Sequence, residues 1–360
     1  MFNPKRLTLA RKRRRLSGEG LARLVGVTPV TISKLEKGLH DPATKTLDAI
    51  VKILEFPKEF FYGQDIDSPS QEAASFRSLT SMTAKERDGV LAAVSLAYLL
   101  SDWVTARFNL PEANLIDLSL ERDPEKAALS LRQRWTLGEQ PIGSMIKLLE
   151  SKGVRVFSLS ENTKNVDAFS CWRDSTPYVF LNTFKSPEHS RFDAAHELGH
   201  LVLHRHGGPH QKAAEFEANT FASCFLMPEA DIRSTISYVT SMNQLVQIKK
   251  RWGVSVAALV YRLHKVGILT DFKYRSLYIQ INKMGYRTKE PNELPREESV
   301  VWKKVLTELW SDGITKNHIA DDLLIPSKEV ENLVFRLNGS TPTDVQNPSK
   351  KQKGNLRIVS

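Results

Sequence analysis

His196-Glu197-Leu198-Gly199-His200 constrains this chain more tightly than any other stretch, because its two histidines can act together only on a helix. Residues i and i+4 of an α-helix stand one above the other on one face, so both imidazoles can reach a single metal ion. The glutamate beside the first histidine is then placed to take a proton from an attacking water. Phe192, Ala194, Ala195, Leu198, Leu201, Val202 and Leu203 surround the motif, which predicts a buried helix rather than a solvated one.

A metal site of this kind needs a third protein ligand. His206 has the offset of the pattern HExxHxxGxxH, but Leu203 stands where that pattern needs its chain-reversing glycine. His204 lies one turn beyond His200, too far along the axis for joint coordination, and suits a supporting or helix-end role. The better source is the next helical stretch, Glu215-Phe216-Glu217-Ala218-Asn219-Thr220-Phe221-Ala222. Glu215 and Asn219 share a face at i and i+4, and Ala218 and Ala222 are small enough for close helix packing. Glu215 would complete a His2Glu set, and Asn219 would hold a histidine tautomer. Glu217 is the alternative ligand; it points about 200° away from Glu215 on a helix, so only one of the two faces the metal.

Charge divides the chain. Residues 1–63 carry 13 basic against 6 acidic residues, and 341–360 carry four against one, which leaves the middle near neutral within a net +10. A basic head on a neutral body points to double-stranded DNA as a partner. The first 62 residues read as five short helices, with Gly26 closing the second, Thr28 capping the third and Pro29 opening it. Two helices joined by Gly26-Val27-Thr28 have the helix-turn-helix arrangement, whose second helix enters the major groove.

The stretch LARLVGVTPVTISKLEKG resembles the lambda-repressor-like DNA-binding domains of the XRE type. The resemblance implies groove-facing Thr28, Pro29, Val30, Ser33 and Lys34. Thr31, Lys37 and the run Arg11–Arg15 are then the phosphate-contact candidates. Gly18 and Gly20 depart from that family's polar residues at the start of the second helix, and Pro29 and Val30 lack the bidentate donors that discriminate bases best.

The middle of the chain predicts helices over 84–108, 124–135 and 139–153. Strands follow at 154–159, 166–172 and 177–182, forming a small sheet ahead of the HELGH helix. HELGHLVLH with EFEANTFASCFLMP, the earlier FSCWRDSTPYVFLN and the later RWGVSVAALVYRL resemble the ImmA/IrrE family of metallopeptidases, over roughly 150–265. The resemblance implies zinc (Zn2+) held by His196, His200 and Glu215, with Glu197 as general base in peptide hydrolysis. It also implies a helix-turn-helix repressor as protein substrate. Strand 177–182 is a candidate to bind that substrate by edge pairing.

The expected fold is therefore multidomain. An all-α helix-turn-helix head (1–64) and a linker (65–80) precede an α+β, gluzincin-like HExxH peptidase body with a small sheet (81–275). A helical C-terminal extension (276–338) and a disordered basic tail (339–360) complete it. The extension contains ITKNHIADDLLIPSKEVENLVFRL, a second helix-turn-helix-like stretch whose balanced charge favours packing or dimerisation over DNA. Cys171 and Cys224 predict buried free thiols, no apolar run approaches the ~20 residues that span a bilayer, and the basic N-terminus does not read as a secretory signal, so the expectation is a cytoplasmic protein with no membrane partner. A homodimer on two half-sites is compatible with such a head. The rival function is a non-proteolytic regulator, or the antitoxin of a toxin–antitoxin pair, using the peptidase fold as a sensor or dimerisation body.

Overall fold

The computed structural model describes residues 1–69, 82–159, 168–206, 211–334 and 337. Most of the predicted linker and all of the predicted tail lie outside these residues. The head has four α-helices: α1 (Pro4–Arg13), α2 (Gly18–Val25), α3 (Pro29–Glu36) and α4 (Thr44–Leu54). The predicted fifth helix is a 3-10 turn, Lys58–Tyr62. Helix boundaries in the head follow local chemistry. Ser17 caps α2, Gly26 ends it at φ 78°, and the Thr28 side chain accepts from the Thr31 amide to start α3. Such caps contribute about 1 kcal/mol each. Leu7, Leu21, Ile32, Leu35, Ile50 and Phe60 fill the head's interior.

The long α5 (Ala84–Thr105) opens with a reciprocal Thr83–Glu86 capping box. Asp123 caps α6 (Pro124–Arg134), as expected from Pro124 at its first position. The helix expected over 139–153 shortens to α7 (Met145–Ser151): Pro141 and Gly143 precede it, and Ser144 caps it.

The sheet contains β1 (Arg155–Leu159), β2 (Ala168–Arg173) and β3 (Thr176–Asn182) in the order β1-β3-β2. β1 runs parallel to β3, and β2 antiparallel to it. This order corrects one expectation. Residues 177–182 belong to the central strand, whose two edges are already paired, so it has no edge to offer a substrate. β2 is the edge strand that lies along the HELGH helix: Ser170 and the Trp172 indole donate to the Glu197 and Leu201 carbonyls of that helix. Among the described residues its outer edge carries no strand.

Helix α8 (Pro187–Leu203) packs on the sheet and carries the motif, and α9 (Gln211–Leu226) packs against α8. The chain continues through α10 (Glu229–Thr235), α11 (Met242–Ile248), α12 (Val256–Lys265) and α13 (Asp271–Lys283). Nothing between Asp271 and Lys283 breaks α13, so a border at 275/276 falls within a helix. The last helices are α14 (Val300–Ser311), α15 (Lys316–Leu323) and α16 (Ser327–Val334). They pack inward. Trp302 of α14 meets Phe157 of β1 at 5.3 Å between ring centroids, and α16 lies against β1 and α5. Cys171 and Cys224 are buried and free.

Candidate metal centre and nucleic-acid surface

Helix α8 is buried over most of its surface and, with its C-cap His204, encloses a polar stripe: Asp193, Glu197, His200 and His204 are each 9% exposed or less. Burying such groups is costly unless they find partners: α9 supplies them to His200 and His204, β2 to Glu197, and His189 of α8 itself to Asp193. The helices approach closely at Gly199, where a Cβ would stand 3.1 Å from the Phe221 ring and 3.3 Å from Ala218 Cα. Ala218, one of the two small residues expected to permit close packing, lies at this approach.

Among the described residues, His196, His200 and Glu215 are the one group of three whose ligand atoms converge, all within 4.8 Å of one another. His196 Nε2 lies 3.1 Å from His200 Nε2 and 3.3 Å from Glu215 Oε2, and His200 Nε2 lies 3.5 Å from Glu215 Oε1. His196 Nδ1 is 3.1 Å from Asn219 Oδ1. The amide oxygen can only accept, so His196 Nδ1 carries a proton, and in the neutral ring that a metal would need, Nε2 is then bare. Two imidazole nitrogens and a carboxylate facing each other are the donor set of a zinc site with an open fourth position. The residues fit the metal.

Glu217 is drawn elsewhere. Its Oε2 lies 2.8 Å from His204 Nε2, while His204 Nδ1 lies 2.9 Å from His200 Nδ1. Of the two glutamates, the structure brings Glu215 to the histidine pair and sets Glu217 behind it. His206 pairs with Asp117 at the surface, away from the cluster.

The cluster has a strong electrostatic signature. The imidazoles of His196 and His200, facing its two oxygens, hold the Glu215 carboxyl far below its usual range, against the effect of burial. Burial lowers His196, yet Glu215, Glu197 and Asp193 outweigh it and raise this imidazole. Burial pushes His200 down to about 4. It pushes Glu197, 2% exposed, up to about 7, although the His196 charge and the Ser170 hydrogen bond pull the other way.

Sequence reasoning does not find Ser170. Its Oγ lies 2.7 Å from Glu197 Oε2 and fixes one carboxylate oxygen. The signal is weak: a lone serine in an apolar strand, with nothing in its spacing to link it to position 197. The His204–Glu217 pair is half-legible, since the motif singles out each residue but not their pairing.

On the head, Thr28, Pro29, Val30, Ser33, Lys34 and Lys37 are exposed on or beside α3, with Val30 at 60%. Thr31 is half-buried and shares its hydroxyl with Thr28 at 2.9 Å. The run Arg11–Arg15 needs correction as a phosphate-contact surface. Arg11 pairs with Glu36 at 2.7 Å, Lys12 with Asp88 at 3.2 Å, and Arg13 and Arg14 with Glu329 at 2.8 and 2.6 Å. The aliphatic part of Arg15 packs near Gly89 of α5. Positive charge in a sequence does not say which way it faces, and here acidic partners from α3, α5 and α16 turn it inward.

Comparison with known families places names on both regions. Residues 7–61 match the helix-turn-helix family model, and residues 149–264 match the model of the IrrE N-terminal-like domain, a peptidase family. No curated protein matches the chain. The two matches support the ImmA/IrrE-like reading: one chain joins a helix-turn-helix head to an IrrE N-terminal-like domain.

Proposed function

We propose that this chain is a DNA-binding zinc metallopeptidase that regulates transcription by cleaving a helix-turn-helix repressor. The observation that carries the reading is the convergence of His196, His200 and Glu215 beside a buried glutamate, within a segment matching a peptidase family. Zinc held by these three residues would supply Lewis acidity to a peptide carbonyl and to water. The chain's own residues supply the rest. Glu197 accepts a proton from the attacking water and returns it to the leaving amine. Ser170 holds one Glu197 oxygen and leaves the other for that task. Asn219 keeps the His196 lone pair pointed at the site. An extended substrate would add to the outer edge of β2.

The head would bind duplex DNA through Thr28, Pro29, Val30, Thr31, Ser33, Lys34 and Lys37. A protease tethered to DNA meets a DNA-bound repressor at raised effective concentration. One observation favours a second reading, a regulator that holds metal without cleaving: Glu197 is almost wholly enclosed and already hydrogen-bonded.

Glu197→Gln separates the two. Incubated with candidate repressors, the wild type should cut one and the variant none, at equal zinc content. A wild type that binds zinc and DNA but cuts no repressor encoded beside its gene would favour the second reading.

A further inference from the structure

Glu217 leads inward to a hydrogen-bond chain that runs through His204 to His200. Its carboxylate can only accept, so His204 Nε2, at 2.8 Å, carries a proton and donates it. A neutral His204 then has a bare Nδ1. His200 Nδ1 lies 2.9 Å away, and two bare nitrogens would repel at that distance, so His200 Nδ1 carries the proton and donates. This leaves His200 Nε2 bare, and Nε2 is the atom that faces His196 and Glu215. Two bare Nε2 atoms 3.1 Å apart beside a carboxylate are tolerated when a cation sits among them, as no cation could between the two Nδ1 atoms that the His204 bond already occupies. The opposite tautomer of His200 would put a proton where the ligand lone pair must be.

The environment enforces the arrangement. His204 is 2% exposed on the buried face of α8, 5.0 Å from the His200 ring centroid, with its two ring nitrogens engaged by His200 and Glu217. The Glu217 side chain is about one-third exposed, so the chain begins at the solvent boundary and ends at the candidate ligand.

We propose that His204 and Glu217 are positioning residues that fix the tautomer of His200 for metal binding. The proposal rests on the zinc-site reading above and deepens it: a glutamate two residues from the candidate ligand acts on the metal through two histidines. His196 is held by a separate partner, Asn219, so each histidine has its own brace.

The test uses the full chain, zinc as the probe and chelator competition as the readout. Glu217→Ala removes the acceptor and should weaken zinc affinity about tenfold, within the range usual for partners of metal-bound histidines. Glu217→Gln keeps an oxygen that can accept from His204 and should stay within about twofold of wild type. Nitrogen NMR of histidine-labelled, metal-free protein supplies a signature that a merely structural role would not move. His200 should show its proton on Nδ1 in the wild type and in Glu217→Gln, and a mixture of tautomers in Glu217→Ala. Zinc affinity unchanged in Glu217→Ala, or a wild-type His200 protonated on Nε2, would overturn the proposal. A wild type that binds no zinc would sink the metal reading, and the tautomer measurement would still decide the hydrogen-bond chain by itself.

Discussion

The candidate metal centre and the seat of the head are both buried polar constructions, built over very different spans of sequence. The first joins α8 to α9, and its bond between His196 and Asn219 spans 23 residues. The second joins α1 to α16 through Arg13, Arg14 and Glu329, across 316 and 315 residues. In the first, helical periodicity alone sets His196 and His200 on one face, and only the short step from α8 to α9 is needed to bring Glu215 to them. In the second, three side chains meet only because the whole chain has folded between them. Burial is deep in both: Arg13 and Glu329 side chains are 8% and 3% exposed, and Arg14 is 22%. A charge taken that far from water persists only with a partner. The same physics therefore operates at both places, but only one of them leaves a pattern in the sequence.

The largest effect that would sharpen this contrast is at Glu215. Glu215→Ala removes one of three ligands and should abolish near-stoichiometric zinc in protein purified without added metal. Glu217→Ala, two residues away on the same helix, should retain most of it at saturating zinc. Equal loss in the two variants would erase the distinction that the geometry draws between them.

That distinction also marks what can be read from sequence. His196, His200 and Glu215 are legible because i, i+4 spacing and the 200° separation of Glu215 from Glu217, roughly two residues of helical rotation, are properties of any helix. The helix-turn-helix head is legible from Ser17, Gly26, Thr28 and Pro29, which punctuate helices locally. The strand order is not. β1-β3-β2 places the last strand in the middle, and three short apolar strands carry no mark of which one will be flanked on both sides. Nor is Ser170, whose role exists only because β2 lies against α8. The inward turn of the basic run is hidden for the same reason: Arg13 and Arg14 find their acid on a helix whose own sequence suggests a separate module.

Glu329→Ala is the next largest change. It removes the buried acid that Arg13 and Arg14 share, while Arg14 keeps Glu55 at 3.8 Å, and breaking a buried pair from one side costs about 3–5 kcal/mol. Urea unfolding should show a midpoint lowered accordingly, with zinc content unchanged because α16 does not touch the ligands. A destabilisation under about 1 kcal/mol would make this ion pair no stronger than an exposed surface one.

The same carboxylate predicts an acid dependence. Burial raises Glu329, but the Arg13 charge and the hydrogen bonds from Arg13 and Arg14 outweigh it and hold the folded-state pKa below the ordinary value. Its contribution to stability is therefore complete above the unfolded-state pKa, about 4.3, and disappears as pH falls through the lower folded value. Unfolding measured between pH 6 and 3 should show a steeper acid dependence in wild type than in Glu329→Gln. Parallel curves would mean that Glu329 titrates alike in both states.

The smallest expected effect tests whether the inward-facing arginines stay inward when DNA binds. Removing one phosphate-binding cation reduces the slope of log affinity against log salt by roughly one for duplex DNA. Lys34 is exposed on α3 and forms part of the proposed groove surface, so Lys34→Ala should weaken binding and flatten the slope by no more than that amount. Arg14 is held by Glu329 and also donates to the Leu54 carbonyl, so Arg14→Ala should lower stability and leave the slope as it was. The comparison is sensitive because both substitutions remove one positive charge from the same head, and a uniform electrostatic field would treat them alike. If Arg14→Ala flattens the slope as much as Lys34→Ala does, the head must release α16 on binding DNA. The junction between α1 and α16 would then be a switch between DNA-bound and free states of the chain rather than a fixed seat.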